Sequence, residues 1–282
     1  MSTENDDQKA FWEGFAELWV TKQTDLDALM APVLQGVLDR AALQPGDQVL
    51  DIGCGTGTST INAAHAVAPD GHVLGADISA PMLKRAQQVA ADVDNASFET
   101  TDVAHHAFEP GTFNQVISRF GVMFFVSPEA AFQNIIKAMR PGAQLTMACW
   151  SALDRNPWFQ VPMYAAKRHL GAPPSVDPDA PGPLAFRDIG RVTKILEVAG
   201  FEAIEGNAEQ ILLTPLGSLA DVASHAASIG PAARTVEYFE AGKDDFDVIA
   251  RSVAEDFQGY MTPNGALVPA EINFFTARAP EH

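Results

Sequence analysis

Two different hydrophobic periods divide the chain. Before residue 45 apolar positions recur at helical spacing: Phe11, Phe15, Leu18 and Trp19, then Leu26, Leu29, Val33, Val37 and Leu38. Side chains three and four apart share one helix face, so two amphipathic helices are predicted there. Pro45-Gly46 breaks this pattern, and short apolar runs then alternate with helical stretches. Strands are predicted over 48–52, 72–76, 96–100, 113–118 and 144–150. Helices are predicted over 58–67, from Ser79 as N-cap with Pro81 just inside, and over 128–139. Asp70-Gly71 and Pro141-Gly142 supply turns into the second and fifth strands. Such alternation is the pattern of an α/β protein with a doubly wound parallel sheet.

After Ser151 the rhythm fails. Residues 156–170 read as a helix, 171–183 as a proline-rich loop, and 187–199 as a helix stopped by Gly200. A strand follows over 201–213, then a mostly helical stretch over 216–258 and a last strand over 266–277. The loop is too varied in composition for a disordered linker, and no internal repeat is visible. The expected architecture is a mostly parallel seven-stranded sheet in three parts. Residues 1–45 supply N-terminal helices, 46–150 an alternating α/β core, and 151–282 the rest of the sheet with helical insertions over one edge.

Composition narrows the partners. The 282 residues carry 18 Lys plus Arg against 36 Asp plus Glu, a net charge of −18. A chain of that charge repels polyanions, and no local basic patch offsets it, so nucleic acid and anionic membrane surfaces are not expected partners. No secretion signal and no apolar run long enough to span a bilayer is seen, so a cytoplasmic location without membrane insertion is expected. Cys54 and Cys149 suggest neither a disulfide framework nor a zinc site, and no metal is expected. Monomer and homodimer both remain open.

The chemistry concentrates in Val49–Gly57, V-L-D-I-G-C-G-T-G. An apolar strand runs into Gly53, Gly55 and Gly57, and a helix starts at Thr58. Glycines there let the backbone turn sharply and let a ligand approach the main chain, at the N-terminus of a helix. The glycines fall as G-x-G-x-G, not as the dinucleotide G-x-G-x-x-G, and Asp51 stands two residues before the first. The second strand ends in Asp77, where a nucleotide fold places a carboxylate able to accept two ribose hydroxyls. Ile78 and Met82 beside it offer an apolar wall for a base, or simply core. The third strand runs into Asp102-Val103, a carboxylate for an exocyclic amine and a backbone N–H for a ring nitrogen. His105 and His106 are neighbours whose side chains diverge, so they are read as solvated or supporting groups.

Taken together, G-x-G-x-G, Asp77 and Asp102 at three successive strand ends resemble the class I, Rossmann-like S-adenosylmethionine (SAM) methyltransferases. The stretches Ser118-Arg119-Phe120-Gly121-Val122-Met123-Phe124-Phe125 and Met139-Arg140-Pro141-Gly142 extend the likeness to the bacterial group around ubiquinone and menaquinone biosynthesis. The strand-four loop departs from the more polar signature of the quinone enzymes, so only the general family is carried over. The resemblance implies SAM as cofactor and S-adenosylhomocysteine as product. It places Asp51 and Gly53 at the methionyl group, Cys54 among the cofactor-binding residues of the loop, Gly55 and Gly57 at the close approach, and Asp77 with Ile78 and Met82 at the ribose and adenine. Asp102 and Val103 would take the adenine, and the backbone of Ser118 and Arg119 the cofactor floor. Trp12, Gly14 and Trp19 look like the group's cap helices, and Asn156-Pro157-Trp158 and Gly182-Pro183-Leu184-Ala185-Phe186 are also similar to it.

Methyl transfer from a sulfonium needs alignment, exclusion of water and, for a hydroxyl acceptor, proton removal, so no catalytic triad is required and none is seen. Trp12, Trp19, Phe120, Phe124, Trp150 and Trp158 are the candidate walls for a small apolar or aromatic acceptor. Histidines are the only nominees for a base, His225 among them, and no motif singles one out. Three other readings stay open: a SAM-binding lyase or cyclase, a nicotinamide-dependent oxidoreductase, and a SAM-binding regulator without turnover.

Overall fold

The computed structural model describes residues 6–281. Helices α1 (Asp6–Thr21) and α2 (Gln23–Ala41) precede an alternating series. That series is β1 (Gln48–Ile52), α3 (Thr58–Val67), β2 (His72–Asp77), α4 (Ala80–Val89), β3 (Ala96–Thr100), β4 (Phe113–Arg119), α5 (Pro128–Ala138) and β5 (Met139–Trp150). Next come α6 (Pro157–Leu170), α7 (Ile189–Ala199), β6 (Glu202–Leu213), α8 (Leu219–Ala227), α9 (Gly230–Tyr238) and α10 (Lys243–Phe257). A small hairpin, β7 (Met261–Thr262) with β8 (Gly265–Ala266), leads into β9 (Val268–Arg278).

Seven strands form one sheet in the order β3-β2-β1-β4-β5-β9-β6. The pairings from β3 through β5 are parallel, and β9 runs antiparallel to both β5 and β6. Crossovers on opposite sides of β1 put helices on both faces, so its Val49, Leu50 and Ile52 are buried on whichever side they point. The strand order reverses between β1 and β4, and the carboxyl ends of two such strands open a crevice between diverging loops. The glycine loop leaves β1 at that crevice, and the loop after β4 faces it. Among the described residues no helix is long and apolar enough to cross a membrane.

The structure corrects one expectation and adds two features. β5 starts at Met139 instead of Gln144, so Pro141-Gly142 is an irregular strand entry and not a turn outside it. Gly142 takes φ +72°, and its N–H donates to the Ala279 carbonyl at 3.2 Å, tying this entry to the end of β9. The stretch 216–258 is three helices, divided at Gly230 (φ +64°) and Gly242. A Cβ on Gly230 would lie 2.7 Å from the Phe159 ring, so this glycine also lets α9 rest on α6. Finally, the β7–β8 hairpin was not foreseen, because two-residue strands are too short to show a period.

Candidate functional site

The three loop glycines all have positive φ, +67° at Gly53, +55° at Gly55 and +91° at Gly57, but their surroundings differ. A Cβ on Gly53 would sit 2.6 Å from the Cα of Gly121, in the loop after β4. One on Gly57 would meet the Ala86 Cβ at 2.9 Å and the Phe98 ring at 3.2 Å. One on Gly55 would meet only the Met82 sulfur, at 3.8 Å. Gly53 is therefore demanded by the crossing of two loops and Gly57 by the seating of α4. Only Gly55 has open space where its Cβ would lie.

The crossing is reciprocal: a Cβ on Gly121 would lie 2.5 Å from the Ile52 carbonyl oxygen and 2.8 Å from the Gly53 Cα. Backbone meets backbone here, and no rotamer relieves it. Gly121→Ala is expected to cost about 1–3 kcal/mol of stability. Urea unfolding checks this against Gly14→Ala, where a new Cβ meets nothing within 4 Å.

Hydrogen bonds pin the loop to its neighbours. Gly53 and Cys54 donate their N–H groups to the Ala76 carbonyl at 2.8 and 3.3 Å. The Asp77 carboxylate, at the end of β2, accepts from Gly55 N–H and Ser79 N–H at 2.9 Å each. Burial pushes the Asp77 carboxyl above its usual range, and N–H donors from Ser79, Gly55 and Ile78 oppose it. Ile78 is half-buried and Met82 buried beside it, and the Cys54 thiol is buried under the loop. On the β4 side, Ser118 Oγ donates to the Ile52 carbonyl at 2.8 Å and accepts from Gly121 N–H at 3.2 Å, clamping the two loops together.

Asp51 is buried within β1. One of its oxygens accepts from Ser59 Oγ at 2.6 Å and Thr60 Oγ1 at 2.7 Å, while Oδ1 has no partner. Burial raises this carboxyl to about 6, against the pull of the two hydroxyls and Arg119. Because the folded value lies above the ordinary 3.8, this group favours folding most at low pH, and that contribution is lost as pH rises towards about 6. The cost at neutral pH is about 3 kcal/mol. Asp51→Asn is expected to remove this part of the pH dependence, measured as the difference between wild-type and variant melting temperatures across that window.

Arg119, at the end of β4, is mostly buried. Its Nη2 lies 3.7 Å from the Asp27 carboxylate and its Nη1 has no partner. Asp27 also accepts from Thr58 Oγ1 at 2.6 Å, and Gln23 Nε2 reaches the Thr56 carbonyl at 3.5 Å. Gln23 in turn accepts from Arg85 Nε at 2.8 Å. The first turns of α2 thus lie against the glycine loop. Neither Asp27, Gln23 nor the Arg119 side chain had a local signal to mark it.

At the end of β3 the Asp102 carboxylate accepts from Ala104 N–H at 3.0 Å and is bonded to His105 Nδ1 at 2.7 Å. Val103 is buried, and its carbonyl accepts from the Asn134 amide at 3.0 Å. His106 turns to Glu99 at 3.3 Å and lays its ring on Phe108, so the two histidines diverge. Among the described residues no three His, Cys, Asp or Glu side chains gather as metal ligands would.

The aromatic candidates fall into three places. Trp12 meets Phe124 edge-on at 4.8 Å and Trp19 at 5.8 Å, bringing α1 to the loop after β4. Phe120 has φ +69° and stacks on Trp150 at 4.8 Å, and Phe159 meets Trp150 at 4.6 Å. Trp158 does not join either group. It is fully buried among the cover helices, against Phe257 and His225.

A methyltransferase-domain family model matches residues 43–177. Among curated proteins the chain is 33% identical over 110 residues to an arsenite methyltransferase of Halobacterium salinarum, covering 38% of this chain and 28% of that one. It is 33% identical over 150 residues to a ubiquinone/menaquinone biosynthesis C-methyltransferase of Ectopseudomonas mendocina, covering 49% and 57%. The chain spans from 26% to 57% of the length of the curated relatives it matches. Among solved structures, phosphoethanolamine N-methyltransferase 2 of Haemonchus contortus, in complex with phosphomonomethylethanolamine and S-adenosylhomocysteine, superposes with a TM-score of 0.54. That likeness, at 20% identity, covers 88% of this chain and 52% of the other and speaks to the fold. Residues 43–177 thus match a methyltransferase domain, and the sheet order and glycine loop give the chain the Rossmann-like fold of its structural neighbours.

Proposed function

We propose that this chain transfers a methyl group from SAM to a small apolar or aromatic molecule. The observation that carries the reading is one open glycine, Gly55, in a cradle whose neighbouring residues leave three buried polar atoms unpartnered. Those atoms are Asp51 Oδ1, Arg119 Nη1 and Ser79 Oγ. Buried polar groups are normally satisfied, so unmatched ones at a strand edge mark where a ligand supplies the partner. An amino acid attached to a nucleoside has the complement: an ammonium for Asp51, a carboxylate for Arg119 and ribose hydroxyls for Asp77. Asp102 and Val103, with Ile78 and Met82, would take the base.

SAM, when bound, supplies a methyl group on an already activated leaving group. The chain's own work is then to hold and align. Asp51 and Asp77 make the crevice favourable for a cation, and Arg119, paired with Asp27, keeps the floor from being uniformly acidic. Phe120, Trp150, Trp12 and Phe124 form flat apolar walls that orient an acceptor and exclude water. Such alignment supplies up to about 7–11 kcal/mol of a barrier in model reactions.

Calorimetric titration of the full chain with SAM, S-adenosylhomocysteine and NAD tests the cofactor. Saturable binding of the first two and none of NAD is expected. Formation of S-adenosylhomocysteine in step with a methylated product, across a panel of small aromatic acceptors, then tests the transfer. A folded protein that takes up neither sulfur compound would end the proposal.

A further inference from the structure

Two more buried atoms without partners lie away from the glycine loop, on two rings that touch. The Trp158 indole on α6 is fully buried, and its Nε1–H finds no acceptor. The His225 ring on α8 meets it edge-on, with ring centroids 5.7 Å apart, and its buried Nε2 also has no partner. The rest of the indole is packed on Phe257 of α10, at 6.0 Å. A core position that needed only apolar bulk would be filled as well by phenylalanine, without a stranded donor.

We propose that Trp158 Nε1 and His225 Nε2 together bind a hydroxyl group of the acceptor, and that His225 takes its proton. One donor beside one acceptor is the complement of a hydroxyl, which accepts through its oxygen and donates its hydrogen. His225 must be neutral to do so, and burial lowers the proton affinity of its ring. The charged groups acting on it are Asp25, which works against that shift, and Lys22, which adds to it, both in the first turns of α2. Those same turns carry Gln23 and Asp27, which hold the glycine loop and Arg119. Phe159, next to Trp158 on α6, packs on Trp150.

The inference rests on the methyl-transfer reading and gives it a substrate class, phenols and enols, with a methyl ether as product. The O–H bond breaks and its proton passes to His225 Nε2, then to water. An oxygen electron pair forms the new C–O bond as the C–S bond breaks and its pair stays on sulfur. Charge balances: a sulfonium and a neutral hydroxyl give a thioether, an ether and one proton.

Fluorine NMR of the full chain with 4-fluorophenol and with fluorobenzene, in the presence of S-adenosylhomocysteine, tests this without turnover. Saturable binding of the phenol is expected, at least tenfold weaker in Trp158→Phe and in His225→Ala, with fluorobenzene bound alike by all three proteins. His225→Gln, which keeps a hydrogen-bonding group but no base, should retain more phenol binding than His225→Ala. Thermal unfolding and calorimetry with S-adenosylhomocysteine accompany each variant, and both are expected to stay near wild type. Absent phenol binding, equal binding of the two fragments, or phenol binding that survives both variants would overturn the hydroxyl site. A wild-type chain that fails to bind S-adenosylhomocysteine would instead remove the methyl-transfer reading beneath it.

Discussion

Gly55→Val is expected to abolish detectable SAM and S-adenosylhomocysteine binding while the protein still folds. Around Gly55 the protein leaves space: its virtual Cβ touches only the Met82 sulfur, at ordinary contact distance. Valine branches fill that space, where the proposed cofactor would lie. The backbone at φ +55° adds strain of about 1–3 kcal/mol for a branched residue, so the melting temperature falls but folding survives. Binding should weaken by more than about hundredfold, the equivalent of about 3 kcal/mol. Gly57→Val is the contrast. Its added atoms would press on Ala86 and Phe98, so it should lose stability first and affinity only as a consequence. Calorimetry and thermal unfolding on both variants separate these outcomes. Equal affinity in Gly55→Val and wild type would show that no cofactor lies against this peptide.

The second large effect is expected at Asp77. Its carboxylate does more than wait for a ribose: it already accepts from Gly55 and Ser79 and so shapes the loop that a cofactor must meet. Asp77→Ala leaves both N–H donors without their acceptor and removes the proposed ribose partner as well. Hydrogen bonds to a charged group contribute about 1.5–3 kcal/mol each, so a loss of about hundredfold in S-adenosylhomocysteine affinity is expected. Asp77→Asn keeps one acceptor oxygen and should lose about tenfold. Amide hydrogen exchange at Gly55 supplies the second readout. It should quicken in the alanine variant even without ligand, because the loop bond is gone. An alanine variant that binds as wild type would remove Asp77 from the cofactor site.

Both experiments depend on distinctions that the sequence offered only in part. That Gly53, Gly55 and Gly57 sit between a strand and a helix was readable from the change of hydrophobic period at Ile52 and Thr58. That one of them faces open space and two face protein was not. Gly53 is decided by Gly121, and Gly57 by Ala86 and Phe98, residues far along the chain whose approach no local spacing encodes. Similarly, six aromatic residues were grouped by type as one wall. The structure gathers five of them in two clusters, around Phe124 and around Trp150, and buries Trp158 among the cover helices against Phe257 and His225.

By itself the sequence determined the alternation of strands and helices, the glycine loop and the acids at the ends of β2 and β3. Each follows from periods and punctuation within a few residues, and a parallel sheet leaves little freedom in where successive strand ends lie. Tertiary structure alone decided the reach of Asp27 and Gln23 from α2 onto the loop and the Gly53–Gly121 crossing. It also decided which buried polar atoms were left without partners. These depend on how elements distant in sequence are pressed together, and burial, which makes an unmatched charge or N–H costly, exists only once they are.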